Sequence, residues 1–333
     1  MTSTSLTHAV APIDAGEAIV AAAFLGGAPA FALAGGDVLF EEARRVVAHA
    51  DGAILCAASD GRRLVTGGDD GRVVATNASG GVETLADEQG QWIDAVAVRD
   101  DGALAWTAGR FARARSPKGE VKSLALPSTS RGLAFMPKGY RLAVAHYNGA
   151  SLWFPNADAK PETLEWKGSH LDATVSPDGR FVITSMQENT LHGWRLSDSK
   201  NMRMAGYPAK TRSLSWSRDG KWLATSGADA CILWPFSAKD GPMGQAPREC
   251  GVRANVQVTR VAFHQSALVV AVGYEDGMVL LCRITDASEI LVRSPAENAD
   301  NARITALSWD DHGARLAFGA RNGDAGVLTL PAV

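Results

Sequence analysis

The stretch RSLSWSRDGKWLATSGAD, residues 212–229, carries the pattern that decides the fold. A short run that alternates apolar and polar residues leads into the turn Asp219-Gly220, and a second apolar run then ends in small residues. Glycine supplies the positive φ that a tight hairpin requires. The stretch therefore predicts two antiparallel strands joined by a short turn.

The same arrangement recurs along the whole sequence, for example as ILCAASDGRRLVTGGDDG at 54–71 and LDATVSPDGRFVITSMQEN at 171–189. The last apolar residue of each first run marks eight units: Phe24, Ala57, Val98, Phe135, Val175, Trp216, Phe263 and Trp309. Their spacing averages about 41 residues, as in a four-stranded propeller blade. The sequence therefore predicts an all-β protein built from repeated antiparallel blades.

A third strand follows in each unit, and in three units it ends in tryptophan, at Trp153, Trp194 and Trp234. These tryptophans, with S-P-D-G at 176–179, S-R-D-G at 217–220 and L-A-T-S-G-A-D at 223–229, make the protein resemble the WD-repeat β-propeller family. The resemblance is to a divergent member of bacterial type. It implies a single propeller domain spanning residues 1–333.

The sequence departs from the family pattern at two points. Each third-strand tryptophan is followed by Phe, Arg or Pro and never by Asp. The Gly-His dipeptide of the family is matched only weakly, at His49 and His170. The family's hydrogen-bond network of His, Ser/Thr, Asp and Trp is therefore not expected in most blades.

Eight units predict eight blades, with a seven-bladed ring and a divergent terminal subdomain as the alternative. The last unit supplies only three strands, whereas residues 6–13 precede the first full unit. We expect this N-terminal strand to pair as the outer strand of the last blade, because such closure covers unpaired sheet edges.

The amino-acid composition excludes one class of protein and argues against two kinds of partner. Hydrophobic residues make up 46% of the sequence, and 33 basic against 36 acidic residues give a net charge of −3. A disordered protein is excluded, and neither nucleic acid nor a membrane is expected as a partner. The uncharged run Ala18–Gly36 is interpreted as two buried strands because Gly26, Gly27 and Pro29 interrupt it.

The sequence shows no constellation that points to catalysis. It lacks a phosphate-binding loop, HExxH and GxSxG. The seven histidines and four cysteines are scattered, so no metal and no cofactor is expected, and the cysteines are interpreted as reduced thiols of a cytoplasmic protein. The basic run 109–122, with Arg113 and Arg115, is interpreted as a solvated outer strand, with a patch for an acidic partner as the alternative.

Residues just before each first strand and just after each second strand should lie on one face of a propeller. Trp, Tyr and Arg there are the residue types that most often dominate protein interfaces. The candidate partner-binding residues are Trp92, Arg110, Arg131, Tyr147, Lys210, Arg212, Tyr274, Arg303 and Arg321.

The resemblance implies a non-catalytic scaffold that binds a protein or peptide through this face. Two other hypotheses stay open at this point. One is a lactonase-like propeller hydrolase with a metal at the channel mouth, and the other is a metal-handling accessory protein.

Overall fold

The computed structural model describes residues 4–331, and their regular structure consists of β-strands and two short 3₁₀ turns, Thr7–Ala9 and Glu41–Ala43. The protein divides into two compact units. The first unit combines the residues up to Val46 with those from Thr211 onward, and the second unit is Val47–Lys210.

The N-terminal part of the first unit contains six strands: β1 (Thr4–Ser5), β2 (Val10–Asp14), β3 (Ile19–Leu25), β4 (Ala28–Leu33), β5 (Asp37–Phe40) and β6 (Arg45–Val47). Strands β3 to β6 form one four-stranded sheet in sequence order. The apolar run at 18–36 thus forms two buried strands, as predicted, with the turn at Gly26 and Gly27.

The second unit contains fourteen strands. They are β7 (Ile54–Ser59), β8 (Arg63–Gly68), β9 (Arg72–Asn77), β10 (Val82–Asp87), β11 (Ile93–Val98), β12 (Leu104–Ala108), β13 (Phe111–Arg115), β14 (Val121–Ala125), β15 (Leu133–Phe135), β16 (Leu142–Trp153), β17 (Glu162–Val175), β18 (Phe181–Met186), β19 (Leu191–Arg195) and β20 (Lys200–Met204). Strands β7 to β10 and β11 to β14 form two four-stranded antiparallel sheets, and β15 to β20 form one six-stranded sheet.

The remaining strands of the first unit are β21 (Leu214–Trp216), β22 (Trp222–Thr225), β23 (Cys231–Pro235), β24 (Arg248–Cys250), β25 (Val258–Phe263), β26 (Val269–Tyr274), β27 (Val279–Arg283), β28 (Ser288–Arg293), β29 (Ile304–Trp309), β30 (Arg315–Ala320) and β31 (Asp324–Thr329). They make three further sheets, from β21–β24, β25–β28 and β29–β31.

The N-terminal strand pairs with the last strand of the first unit. β2 runs antiparallel to β31, with Val10 opposite Leu328 and Asp14 opposite Asp324, and completes a four-stranded sheet. The pairing starts at residue 10 because residues 7–9 form a 3₁₀ turn. The two residues of β1 instead add to the neighbouring sheet, parallel to β28.

The described residues form seven sheets, so the expectation of eight separate blades is wrong and the alternative count of seven stands. The lower count has a local cause and does not come from a divergent terminal subdomain. The fourth and fifth repeat units share one sheet, because the residues of β17 up to Ser169 pair with β16 and those from His170 onward pair with β18. The register shifts in both pairings, between Tyr147 and Gly149 in the first and between His170 and Ala173 in the second.

Both long strands bend sharply within this shared sheet. Nε2 of His146 lies 3.0 Å from Oγ of Ser151, although five residues of extended backbone would span roughly 16 Å. The backbone therefore folds back between them, at Asn148 (φ 65°) and Gly149 (φ 144°). In β17 the bend lies at Gly168 (φ 129°).

Apolar side chains pack between neighbouring sheets within each unit. In the second unit, Val65 and Val73 of one sheet pack with Trp106 of the next, and Leu142 and Trp153 pack against the small residues of β13. The three third-strand tryptophans are buried, as predicted. Burial of such large side chains is the main favourable term in folding.

No helix among the described residues has the length and apolar character needed to cross a membrane.

Candidate partner-binding surface

Eight of the nine candidate residues have side chains that solvent reaches. In the second unit Trp92, Arg110, Arg131 and Tyr147 are exposed and Lys210 is half-buried, and in the first unit Arg212, Arg303 and Arg321 are exposed. Trp92, at 62% exposure, directly precedes β11, and Tyr147, at 54%, lies where β16 folds back. These aromatic side chains are therefore free to contact another molecule.

Tyr274 does not belong to this surface, and its prediction as a partner-binding residue is wrong. It is the last residue of β26 and is 0% exposed. Its hydroxyl donates a hydrogen bond to the carbonyl oxygen of Gly251 at 2.5 Å, and the guanidinium carbon of Arg253 lies 5.2 Å from its ring centroid. Burial raises the pKa of this phenol well above its ordinary value. Tyr274 thus anchors the loop after β24.

The basic run at 109–122 also differs from its interpretation as an outer strand. Arg113 and Arg115 lie in β13, the third strand of its sheet, whereas β14 is the outer strand. Arg113 donates to Oε2 of Glu88 at 3.1 Å and to Oγ of Ser123 at 2.7 Å. Its charge is therefore matched within the second unit.

A cavity of about 710 Å³ lies at the fold-back of β16. It is lined by Tyr147, Trp166, His146 and Glu165, together with Pro127, Ser128, Asn148, Thr163 and Lys167. Trp166 is 38% exposed and was not among the predicted residues. The only feature of the sequence that indicates an exposed Trp166 is its position between two charged residues, Glu165 and Lys167. We name this site the Tyr147–Trp166 pocket.

The wall behind the pocket holds Trp166 in place. Its ring stacks on the buried ring of His192, with centroids 4.0 Å apart and an interplanar angle of 17°. Its carbonyl oxygen accepts a hydrogen bond from Nε2 of His170 at 2.9 Å. A tryptophan fixed in this way presents its exposed edge at little entropic cost to binding.

Burial disfavours the charged forms of the histidines that line the pocket or lie behind it. Burial lowers the pKa values of His146 and His170, and it lowers the pKa of His192 to about 4. Nε2 of His192 donates to Oδ1 of Asn201 at 2.9 Å, whereas its buried Nδ1 has no hydrogen-bond partner in the described residues. The charged form of His192 is disfavoured because it would leave this second N–H unsatisfied.

The free energy of unfolding should therefore fall as the pH drops from 6.5 toward 4. The unfolded state takes up a proton on His192 near its ordinary pKa of 6.5, before the folded state does, so stability present above pH 6.5 is lost on acidification. The full effect of His192 is about 3 kcal/mol. Urea unfolding at pH 7.0 and 4.5 measures it. His192→Gln should reduce this pH dependence, whereas exposed His312→Gln should leave it unchanged, and the remainder comes in part from buried His146 and His170. The assignment is contradicted if the loss of stability between pH 7.0 and pH 4.5 is the same in the parent and in both variants.

One family-type hydrogen-bond network is present in the second unit despite the sequence departures. Nδ1 of His49 lies 3.1 Å from the carboxylate of Asp70, and Nε2 lies 2.9 Å from Oγ1 of Thr66. His49 and Thr66 are buried. The network joins the segment before β7 to the turn after β8, so its role is structural.

Three cysteines that are far apart in sequence come together in the first unit. Cys231 and Cys250 face each other across β23 and β24, and Cys282 packs in the same buried cluster. All four cysteines are free thiols. Among residues 4–331, however, no group of three or more His, Cys, Asp or Glu side chains has an arrangement that could hold a metal ion.

Comparisons with known proteins agree with this architecture. The family model "WD domain, G-beta repeat" matches residues 41–74 and 203–234. Among solved structures, the protein is similar to the crystal structure of the computationally designed Ika8 protein, with a TM-score of 0.76 and 17% sequence identity over 95% of this protein and 98% of that one. A search of curated proteins found no similar sequence.

The four-stranded antiparallel blades and the two family-model matches support a WD-repeat β-propeller. The matched stretch 41–74 contains the His49–Asp70–Thr66 network, and the stretch 203–234 ends at the buried Trp234. The likeness to the designed protein concerns the fold alone. The expected bacterial type stays a prediction.

Proposed function

We propose that this protein is a non-catalytic interaction scaffold that binds a protein or peptide partner through exposed side chains at strand ends and at the bends of its two long strands. Propellers of the WD-repeat family are commonly interaction scaffolds and are typically non-enzymatic. The observation that carries the proposal is the Tyr147–Trp166 pocket, where two exposed aromatic side chains line one cavity. Buried aromatic anchors supply most of the free energy at protein interfaces.

The surroundings of Tyr147 support a role in binding. Its backbone is fixed on both sides, since its N–H donates to Oγ of Ser128 at 2.9 Å and its carbonyl accepts from Nδ1 of His146 at 2.9 Å. Its side chain, in contrast, makes no hydrogen bond within the described residues and is more than half exposed. A rigid backbone that presents a free aromatic side chain suits an interface anchor.

A cytoplasmic location belongs to the same proposal. The four cysteines are free, and three of them lie together in one buried cluster. Free thiols are typical of proteins kept in a reducing compartment.

The test is a variant that combines Trp92→Ala, Tyr147→Ala and Arg212→Glu. Its circular dichroism spectrum should match that of the parent, because exposed substitutions change stability by about 0.5 kcal/mol or less. Proteins captured from an extract of the native cells should be lost, since each aromatic anchor contributes about 2 kcal/mol to binding. Capture is quantified by mass spectrometry.

Phe111→Ala is the matched control, because Phe111 is an exposed aromatic residue of the second unit that lies outside the pocket. It should capture the same proteins as the parent. Undiminished capture by the combined variant would place the interface elsewhere, and loss of its fold would show that these residues belong to the core.

A further inference from the structure

Two arginines face each other at one end of the β29–β30 hairpin. Ile304 is paired with Ala320, so the next residues outward, Arg303 and Arg321, are opposite one another. The N–H of Arg321 donates to the carbonyl oxygen of Arg303 at 2.9 Å, which fixes this register. Residues directly opposite in an antiparallel pair project from the same side of the sheet.

Neither arginine has an ion-pair partner within residues 4–331, and both are exposed. Other arginines of the first unit are matched: Arg253 by Asp276, Arg293 by Asp324 and Arg315 by Asp310. Like charges directly opposite in a sheet destabilise it. The hairpin therefore carries an unfavourable pair of positive charges that an anion would relieve.

The arginine pair lines a cavity of about 430 Å³ with Asn255, Asn301, Glu275, Asp276, Val256 and Ala299. Asn255 and Asn301 adopt left-handed backbone conformations, and their side-chain amides make no hydrogen bond within the described residues. Two guanidinium groups and two free amides thus border one concave space. All four groups can donate hydrogen bonds to an oxyanion.

The two carboxylates of the cavity are already engaged. Asp276 accepts from Arg253 at 2.6 Å and from the N–H of Met278 at 3.1 Å, and Oε1 of Glu275 accepts from the N–H of Gln257 at 2.9 Å. Because Arg253 and Asp276 neutralise each other, two arginines and one glutamate leave a single excess positive charge. That balance suits a singly charged carboxylate better than a phosphate dianion.

We propose that this cavity binds a carboxylate group of a partner peptide, held between Arg303 and Arg321 with the amides of Asn255 and Asn301 beside it. The group is either an acidic side chain or the terminal carboxylate of the peptide. The inference rests on the proposed function only in that a partner supplies the carboxylate. It does not involve the Tyr147–Trp166 pocket.

The test measures fluorescence anisotropy of labelled octapeptides with the purified full-length protein. Four peptides separate the two sources of carboxylate: acidic or neutral side chains, each with a free or an amidated C-terminus. At least one carboxylate-bearing peptide should bind, and the neutral amidated peptide should not. Arg303→Gln combined with Arg321→Gln should weaken binding about tenfold, and added salt should weaken it as well.

Arg283→Gln is the matched control, because Arg283 is an exposed arginine of the same unit that pairs with Asp286. It changes the net charge by the same amount per residue and should leave peptide affinity unchanged. The double variant should also melt no lower than the parent, since one repulsive pair has been removed.

Four results would overturn the assignment. They are the absence of saturable binding by every carboxylate-bearing peptide, an equal loss of affinity in Arg283→Gln, a lower melting temperature of the double variant, and stronger competition by inorganic phosphate than by acetate at equal ionic strength. Failure of the Tyr147 variants in cell extract would not affect these measurements, because they use purified protein and synthetic peptides.

Discussion

Trp194→Ala should lower the free energy of unfolding by about 3–5 kcal/mol, the cost of removing a large buried aromatic side chain. Trp194 lies in β19 and is 1% exposed. It packs with Leu164 and Val182, and its ring centroid lies 4.6 Å from that of His192. Its indole N–H donates to the carbonyl oxygen of Glu165 at 3.4 Å, so the substitution also removes a hydrogen bond.

Guanidinium-induced unfolding of Trp194→Ala and of Trp92→Ala gives the comparison. Trp92 is the same residue type in the same unit, but it is largely exposed, so its replacement should change stability by about 0.5 kcal/mol or less. Native-like stability of Trp194→Ala would show that the third strands are packed differently from the arrangement described above.

Gly149→Ala should lower the free energy of unfolding by at least about 3 kcal/mol, because backbone strain and a steric clash act together. Gly149 has a φ of 144°, a conformation that L side chains rarely adopt. A Cβ atom there would lie 2.1 Å from the carbonyl oxygen of Leu164. Strands β16 and β17 would have to separate to make room for it.

Gly102→Ala separates the effect of backbone strain from that of the steric clash. Gly102 also has a positive φ, of 91°, but a Cβ atom there would have no neighbour within 4 Å. Its replacement should cost about 1 kcal/mol from backbone strain alone. Denaturant unfolding of both variants measures the difference. If the two cost the same, close approach of β17 is not the reason for glycine at 149.

Most of the strand order could be predicted from local sequence. Turns such as Asp219-Gly220 separate short apolar runs, and each run is long enough for one strand. The joined sheet could not be predicted in this way. It depends on how the backbone bends at Gly149 and Gly168, and a glycine in the sequence shows only that such a bend is allowed.

The candidate surface was predictable where exposure follows from position along a strand, as for Trp92 just before β11. The burial of Tyr274 was not predictable from the sequence, because a shift of one residue at a strand end moves a side chain to the other face. The partner of Tyr274 is the carbonyl of Gly251, in a loop 23 residues away. Likewise, the approach of Cys282 to Cys231 and Cys250 depends on packing between two sheets, which sequence spacing does not encode.

The pairing of β2 with β31 has a consequence for synthesis of the protein. Residues 10–14 leave the ribosome long before residues 324–329, and at typical translation rates the interval is roughly 15–60 s. During that time β2 lacks its partner and could pair with strands of other nascent polypeptides. Pro12, which lies opposite Gly326 in the finished sheet, has no N–H to donate. Pro12 therefore makes unpaired β2 a poor template for aggregation, while it still allows the final pairing with β31.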